Sequence, residues 1–123
     1  MLPPVGLKAI VLSDSTVVLY WTDTTLSRNQ FVSDNRYYTI RYTTYTYSSS
    51  PKYRYFNSTD LNYMIDDLKP NTQYEFSVKV IKGRRESKWS MSVINTTQEA
   101  GNANFEYLII CNICAVTLLF IFY

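Results

Sequence analysis

Short runs in which apolar and polar residues alternate recur along the chain as far as Thr97, and a period of two sends successive side chains to opposite faces of a sheet. "TVVLYW" offers Val17, Leu19 and Trp21 to one face. "YTIRY" sets Tyr38, Ile40 and Tyr42 against Thr39 and Arg41, and "NYMI" aligns Tyr63 with Ile65. "YEFSVKV" places Tyr74, Phe76, Val78 and Val80 opposite Glu75, Ser77 and Lys79; "WSMSVINTT" closes the series, and Leu7 and Ala9 begin it. Turn-rich spacers separate the runs: Ser13–Ser15, the polar Asp23–Asn35, Tyr47–Pro51, Asn57–Asp60, and Lys82–Lys88 around Gly83. Before Asn104 no segment keeps a 3.6-residue apolar period, so the pattern predicts an all-β antiparallel sandwich.

Within "DLKPNTQYEFSVKV" a tyrosine stands at the head of a strand just after a proline turn. In Greek-key sandwiches such a ring packs inside where the chain crosses between sheets, and its hydroxyl bonds backbone upstream. Tyr74 fits that role. Leu68 is then expected to plug the crossing from below, Pro70 to pre-set a turn dihedral, and Asn71-Thr72 to supply turn chemistry.

Composition narrows the function classes. At 123 residues there is room for one ordinary domain, and 12 tyrosines suit pleated, half-buried surfaces. Histidine is absent and both cysteines, Cys111 and Cys114, lie in an apolar tail, which disfavours most acid–base, nucleophilic and zinc chemistry. No catalytic, cofactor-binding or metal-binding residue is therefore expected, and no cofactor. Asp66-Asp67 has no acid–base partner or metal-spaced ligand and reads as turn decoration. The net charge of +2 is too small to suggest nucleic acid, but all twelve Lys and Arg precede Gln98.

The order "LPPVGLKA", "VVLYW", "YYTIRY", "LKPNTQYEFSVKV", "WSMSVINTT" resembles a fibronectin type III domain over residues 2–98, which implies an immunoglobulin-like, seven-stranded antiparallel Greek-key sandwich. The motif's landmarks are Trp21, the Leu68-x-Pro70-x-Thr72-x-Tyr74 series, and a threonine ending the last strand. The denser detail, "KVIKGRRESKWSMS" included, is similar to the fifth such repeat of the neogenin and DCC netrin receptors. That resemblance implies an extracellular recognition or adhesion module of a membrane receptor for netrins or repulsive guidance molecules. It also implies a role in axon guidance or cell adhesion; a structural spacer without its own ligand contact is the alternative. After Thr97 the chain departs from the receptors' pattern.

Three constellations outside the core carry expectations. Lys82, Arg84, Arg85 and Lys88 share one predicted loop with Glu86 as the single counter-charge, suited to acidic protein ligands or sulfated glycans because arginine forks match carboxylate and sulfate. A solvated hairpin tip is the plainer reading. Trp89 in "ESKWS" resembles the Trp-Ser box of the related cytokine-receptor sandwiches, and Arg41 and Lys79 face outward by parity to flank it. Asn57-Ser58-Thr59 and Asn95-Thr96-Thr97 are glycosylation triplets; Asn57, in a predicted loop, is the better candidate.

Residues 99–104 read as a linker, and 105–123 as a candidate transmembrane segment and apolar helix. Tyr107 to Tyr123 is interrupted only by Asn112 and Thr117. Its aromatic ends suit the interfaces, whereas a glycolipid-anchor signal lacks its polar spacer. An apolar end with no selected role is the other reading. The start, Met1-Leu2-Pro3-Pro4, carries no signal peptide, consistent with a fragment of a longer precursor.

Overall fold

Strands with one buried face pack two layers deep over a common core in this protein, whose computed structural model describes residues 1–26, 34–45 and 50–101. The strands are β1 (Val5–Val11), β2 (Val17–Thr22), β3 (Tyr37–Thr44), β4 (Arg54–Ser58), β5 (Asn62–Ile65), β6 (Gln73–Lys82), β7 (Arg85–Glu86) and β8 (Val93–Thr96). One sheet has the order β1-β2-β5; the other runs β4-β3-β6-β7, with β8 also paired to β6. Neighbouring strands pair antiparallel throughout the described residues.

The alternation maps onto this architecture. Val17, Leu19 and Trp21 from β2 meet Tyr38, Ile40 and Tyr42 from β3 and Tyr74, Phe76, Val78 and Val80 from β6 in one buried cluster, closed by Leu7, Ile65 and Leu68. Trp21 lies 5.5 Å from the Tyr38 ring, and its indole N–H meets no acceptor among the described residues. A register shift between Val5 and Lys8 coincides with Gly6 at φ 64°, where a bulge bends the edge strand.

The crossing from β5 to β6 is bolted at several points. Tyr74 packs edge-on against Tyr42 at 5.9 Å, and its hydroxyl accepts a 2.8 Å hydrogen bond from the Lys69 N–H. Buried Leu68 donates its N–H to the Ser15 carbonyl at 3.0 Å, tying the crossing to the β1–β2 turn. Pro70 is exposed and precedes Asn71, whose φ of 47° is the left-handed conformation that the third residue of a type II turn adopts. Thr97, also buried, donates its hydroxyl to the Lys69 carbonyl at 2.6 Å and accepts from the Thr72 N–H at 3.0 Å.

Two expectations are corrected. The described residues form eight strands rather than seven, because the last ribbon is split: β7 and β8 both flank β6, and residues 87–92 between them are not strand. There the Ser87 and Ser90 hydroxyls each accept a 3.0 Å bond from the N–H of Val80 and Val78, while their own N–H groups reach the carbonyls of the same two residues. Side-chain oxygen thus substitutes for backbone carbonyl, and the ladder stays satisfied without a regular strand. The other correction concerns Asn57, expected in a loop but lying inside edge strand β4 opposite Thr39. Only Phe56 of that short strand packs against the core, too little to register as alternation. The candidate apolar helix over 105–123 and residues 102–104 of the expected linker lie outside the described residues; within them, no helix is long and apolar enough to cross a membrane.

Candidate functional site

Lys82 ends β6 and pairs with Arg85 at the start of β7, so Gly83-Arg84 is a two-residue hairpin loop. Gly83, at φ 62°, occupies the first central position, where a type II′ turn demands a positive φ that side chains resist. The turn drives Arg84 outward at the tip, and Lys82, Arg84, Arg85 and Lys88 are all exposed. They do not share one loop: Lys82 and Arg85 are strand residues, and Lys88 follows β7. Glu86 turns to Lys79 at 3.5 Å and Asp34 holds Lys82 at 3.1 Å, whereas Arg84 and Arg85 have no ion-pair partner among the described residues. An open groove beside them is lined by Leu2, Thr25, Arg36, Lys82, Arg84 and Arg85.

The polar spacer after β2 hides an ionic cluster that the sequence does not reveal. Asp23, fully buried at the end of β2, accepts through Oδ2 from Arg36 Nη1 at 2.9 Å and from the Tyr38 hydroxyl at 2.8 Å. Its Oδ1 accepts from the Thr25 N–H and hydroxyl at 2.9 and 2.6 Å. Arg36, itself buried, donates through Nε and Nη2 to both oxygens of Asp34 at 2.8 and 2.9 Å. Asp34 in turn holds Lys82, so a line of alternating charge runs from the core to the base of the hairpin.

The titration behaviour follows from this wiring. Burial pushes the Asp23 carboxyl up, but the hydrogen bonds from Thr25, Tyr38 and Arg36 outweigh it and hold the group below its ordinary value. Hydrogen bonds from Arg36 hold Asp34 far below the carboxylate range, and the same pairing raises Arg36 further. Burial, seconded by the bond to Asp23, raises the Tyr38 phenol. Asp23, Asp34, Arg36 and Tyr38 are thus each held in their physiological charge state, which suits a rigid support and not a proton-transfer site.

On the outer face of the larger sheet, the Arg41 guanidinium lies 4.5 Å from the Tyr53 ring and 4.2 Å from the Trp89 ring, and the Lys79 ammonium is 4.8 Å from Trp89. Arg41 Nε donates to Ser77 Oγ at 2.9 Å, and the Tyr55 ring approaches Trp89 at 6.2 Å. The bond to Ser77 turns Arg41 toward β6, where Trp89 and Tyr53 bracket it. Each cation–π contact contributes roughly 0.5–1 kcal/mol at an exposed site. Replacing Arg41 and Lys79 together with glutamine removes all three contacts and is expected to lower stability by about 1.5–3 kcal/mol. For a domain of this size that is a melting-temperature drop of roughly 4–8 °C per kcal/mol. An unchanged thermal midpoint by circular dichroism would show the ladder to be energetically idle.

The two glycosylation triplets sit in different settings: Asn57 is exposed on β4, whereas the half-buried Asn95 donates from Nδ2 to the Ala9 carbonyl at 2.9 Å. Among the described residues no group of His, Cys, Asp and Glu could hold a metal ion.

Residues 2–96 match the family described as "Fibronectin type III domain". The chain is 48% identical over 99 residues to neogenin of Homo sapiens, covering 80% of this chain. It is 49% identical over 100 residues to the netrin receptor DCC of Rattus norvegicus, covering 81% of this chain. The matched stretch spans 7% of the length of each receptor. Among solved structures, the FN5 domain of Drosophila Lar superposes with a TM-score of 0.63 at 18% identity, covering 79% of this chain and 96% of that one. Titin domains A168–A170 give a TM-score of 0.63 at 21% identity over 80% of this chain and 32% of that one. At such identities these structures establish the fold alone.

Proposed function

The chain belongs to the fibronectin type III family, and from that premise we propose that it is an extracellular recognition module of a netrin or repulsive-guidance-molecule receptor, with the β6–β7 hairpin as its contact. Its family is one of non-catalytic modules, and its similarity to neogenin and DCC supports reading it as a domain of an adhesion or guidance receptor. The observation that carries the reading is the hairpin: two adjacent arginines held out by a glycine turn, without an internal carboxylate partner among the described residues. Guanidinium forks of this kind suit a partner presenting carboxylates or, on a glycan chain, sulfates. The charge line from Asp23 to Lys82 anchors the base of the hairpin, which reduces the ordering entropy lost on binding. Attachment to a membrane through residues 105–123 belongs to the same proposal and rests on their apolar composition.

The test is charge reversal at the tip. Arg84→Glu with Arg85→Glu in the full chain is expected to weaken binding to immobilised netrin by about tenfold or more, mainly through slower association. Raising ionic strength should erode wild-type affinity more than that of the variant, because exposed charges are screened over about 8–10 Å. Competition by heparin distinguishes sulfate recognition from carboxylate recognition. Equal affinity of wild type and variant would leave the spacer reading in possession.

A further inference from the structure

Glycan acceptor triplets occur at Asn57-Ser58-Thr59 and Asn95-Thr96-Thr97, and the fold treats them oppositely. Transfer requires a free amide nitrogen on the asparagine and an accessible hydroxyl two residues on, because the transferring enzyme grips both. Asn57 lies on β4, a strand paired on one side only among the described residues, with its side chain on the outer face directly opposite Thr39. The Thr39 hydroxyl donates to Asn57 Oδ1 at 3.0 Å, so the carbonyl end of the amide is turned to the neighbouring strand. Nδ2 has no hydrogen-bond partner among the described residues, and Thr59 is exposed in the turn that follows. Ser58 fixes that turn, with its hydroxyl bonded to the Asn62 carbonyl at 2.9 Å and accepting from the Asp60 N–H at 3.1 Å.

At the second triplet both recognition groups are employed by the fold. Asn95 Nδ2 donates to the Ala9 carbonyl on β1, which belongs to the other sheet, so the amide clips the two layers together along one edge. The Thr97 hydroxyl is buried and committed to Lys69 and Thr72 at the tyrosine-bearing crossing. A sugar on Asn95 would replace one amide hydrogen with a bulky substituent where the sheets close. Chains modified there before folding would lack that clip.

We propose that Asn57 is the N-glycosylated residue of this domain and that Asn95 is a structural asparagine. The donor is a lipid-diphosphate-linked oligosaccharide of the secretory pathway. The Asn57 nitrogen bonds to the anomeric carbon of the first sugar as the carbon–oxygen bond to the diphosphate breaks. The lipid diphosphate leaves with the bonding electrons, and one amide proton passes to solvent through the enzyme's base. The oligosaccharide then leaves from the outer face that carries Arg41, Lys79 and Trp89. Its first sugar stands two residues, about 7 Å, along β4 from the exposed Tyr55.

The full chain, placed behind a cleavable secretory signal and expressed in mammalian cells, decides the matter. Peptide-N-glycosidase F in 18O-water converts each glycosylated asparagine to labelled aspartate, read by peptide mass spectrometry. Label is expected at position 57 and absent at 95. Thr59→Ala, an exposed change that leaves the fold intact, is expected to abolish the label and the gel-mobility shift, while Asn95→Gln retains both. Secreted wild type without label at 57, or with label at 95, overturns the proposal. Because glycosylation is read independently of netrin binding, its failure and that of the hairpin contact are separable.

Discussion

Asp23→Asn is expected to lower the unfolding free energy by about 3–5 kcal/mol, since removing one member of a buried charge pair strands the other. The substitution conserves volume but cancels the charge that faces Arg36, and it turns one of two accepting oxygens into a donor. Whichever way the new amide is turned, its NH2 confronts either the Arg36 and Tyr38 donors or the Thr25 N–H. A domain of this kind has roughly 5–15 kcal/mol of total stability, so the variant sits near the edge of folding. Chemical denaturation with an unchanged m-value and a much reduced midpoint is the expected result. A shift below about 1 kcal/mol, the range of a surface pair, would mean that water reaches the cluster.

The same carboxylate sets an acid limb. Because its folded pKa lies below the ordinary value, Asp23 contributes stability that is complete above about pH 4 and is lost as pH falls through the folded pKa. Asp34 has the same sign. Wild type is therefore expected to lose stability progressively below about pH 4, and Asp23→Asn to show a flatter acid limb. Identical acid limbs in the two proteins would contradict the assignment.

Tyr74→Phe carries the second large effect. The ring stays, so its contacts with Tyr42 and Phe76 are retained; only the acceptor for the Lys69 N–H disappears. A donor left without a partner costs about 1–3 kcal/mol where water is excluded, and this bond is part-buried. The loss falls at a point where Thr97 binds the Lys69 carbonyl and Leu68 reaches the β1–β2 turn, so a loosened crossing loosens both sheets. Urea denaturation is expected to show a drop of about 2 kcal/mol. Native-state hydrogen exchange should place the new opening at Lys69 and its neighbours. Unaltered stability would deny the hydroxyl any mechanical role.

Particular residues show how far the amino-acid order is readable. Val17, Leu19 and Trp21, or Phe76, Val78 and Val80, are legible because a period of two is a local property that burial on one face imposes on every regular strand. The hairpin is legible for the same reason: Gly83 between charged neighbours signals a turn whatever lies around it. β4 escapes the reading because an edge strand with one inward residue has no period to detect. The split of the last ribbon escapes it because "WSMSV" alternates like a strand. Only in the folded state do the Ser87 and Ser90 hydroxyls take over positions in the β6 ladder.

The cluster around Asp23 was the least accessible part. Asp23 opens a stretch that reads as solvated spacer and Arg36 stands just past its end, and nothing in their own neighbourhood distinguishes a buried charge from an exposed one. Their burial depends on where β2 ends in one sheet and β3 begins in the other. The contrast between Asn57 and Asn95 has the same origin. The two triplets are chemically equivalent on paper, and only the approach of Ala9 from across the sandwich gives one amide a structural task.

By itself the sequence determined the fold class, the inward and outward faces of the main strands, the tyrosine at the crossing and the turn at Gly83, since each follows from interactions within a few residues of chain. Which charges are buried, which asparagine is free and how arginine and tryptophan meet on the outer face were decided only when distant segments were brought together. Burial and hydrogen bonding are properties of three-dimensional neighbours, and a linear order of residues does not contain them until the two sheets close.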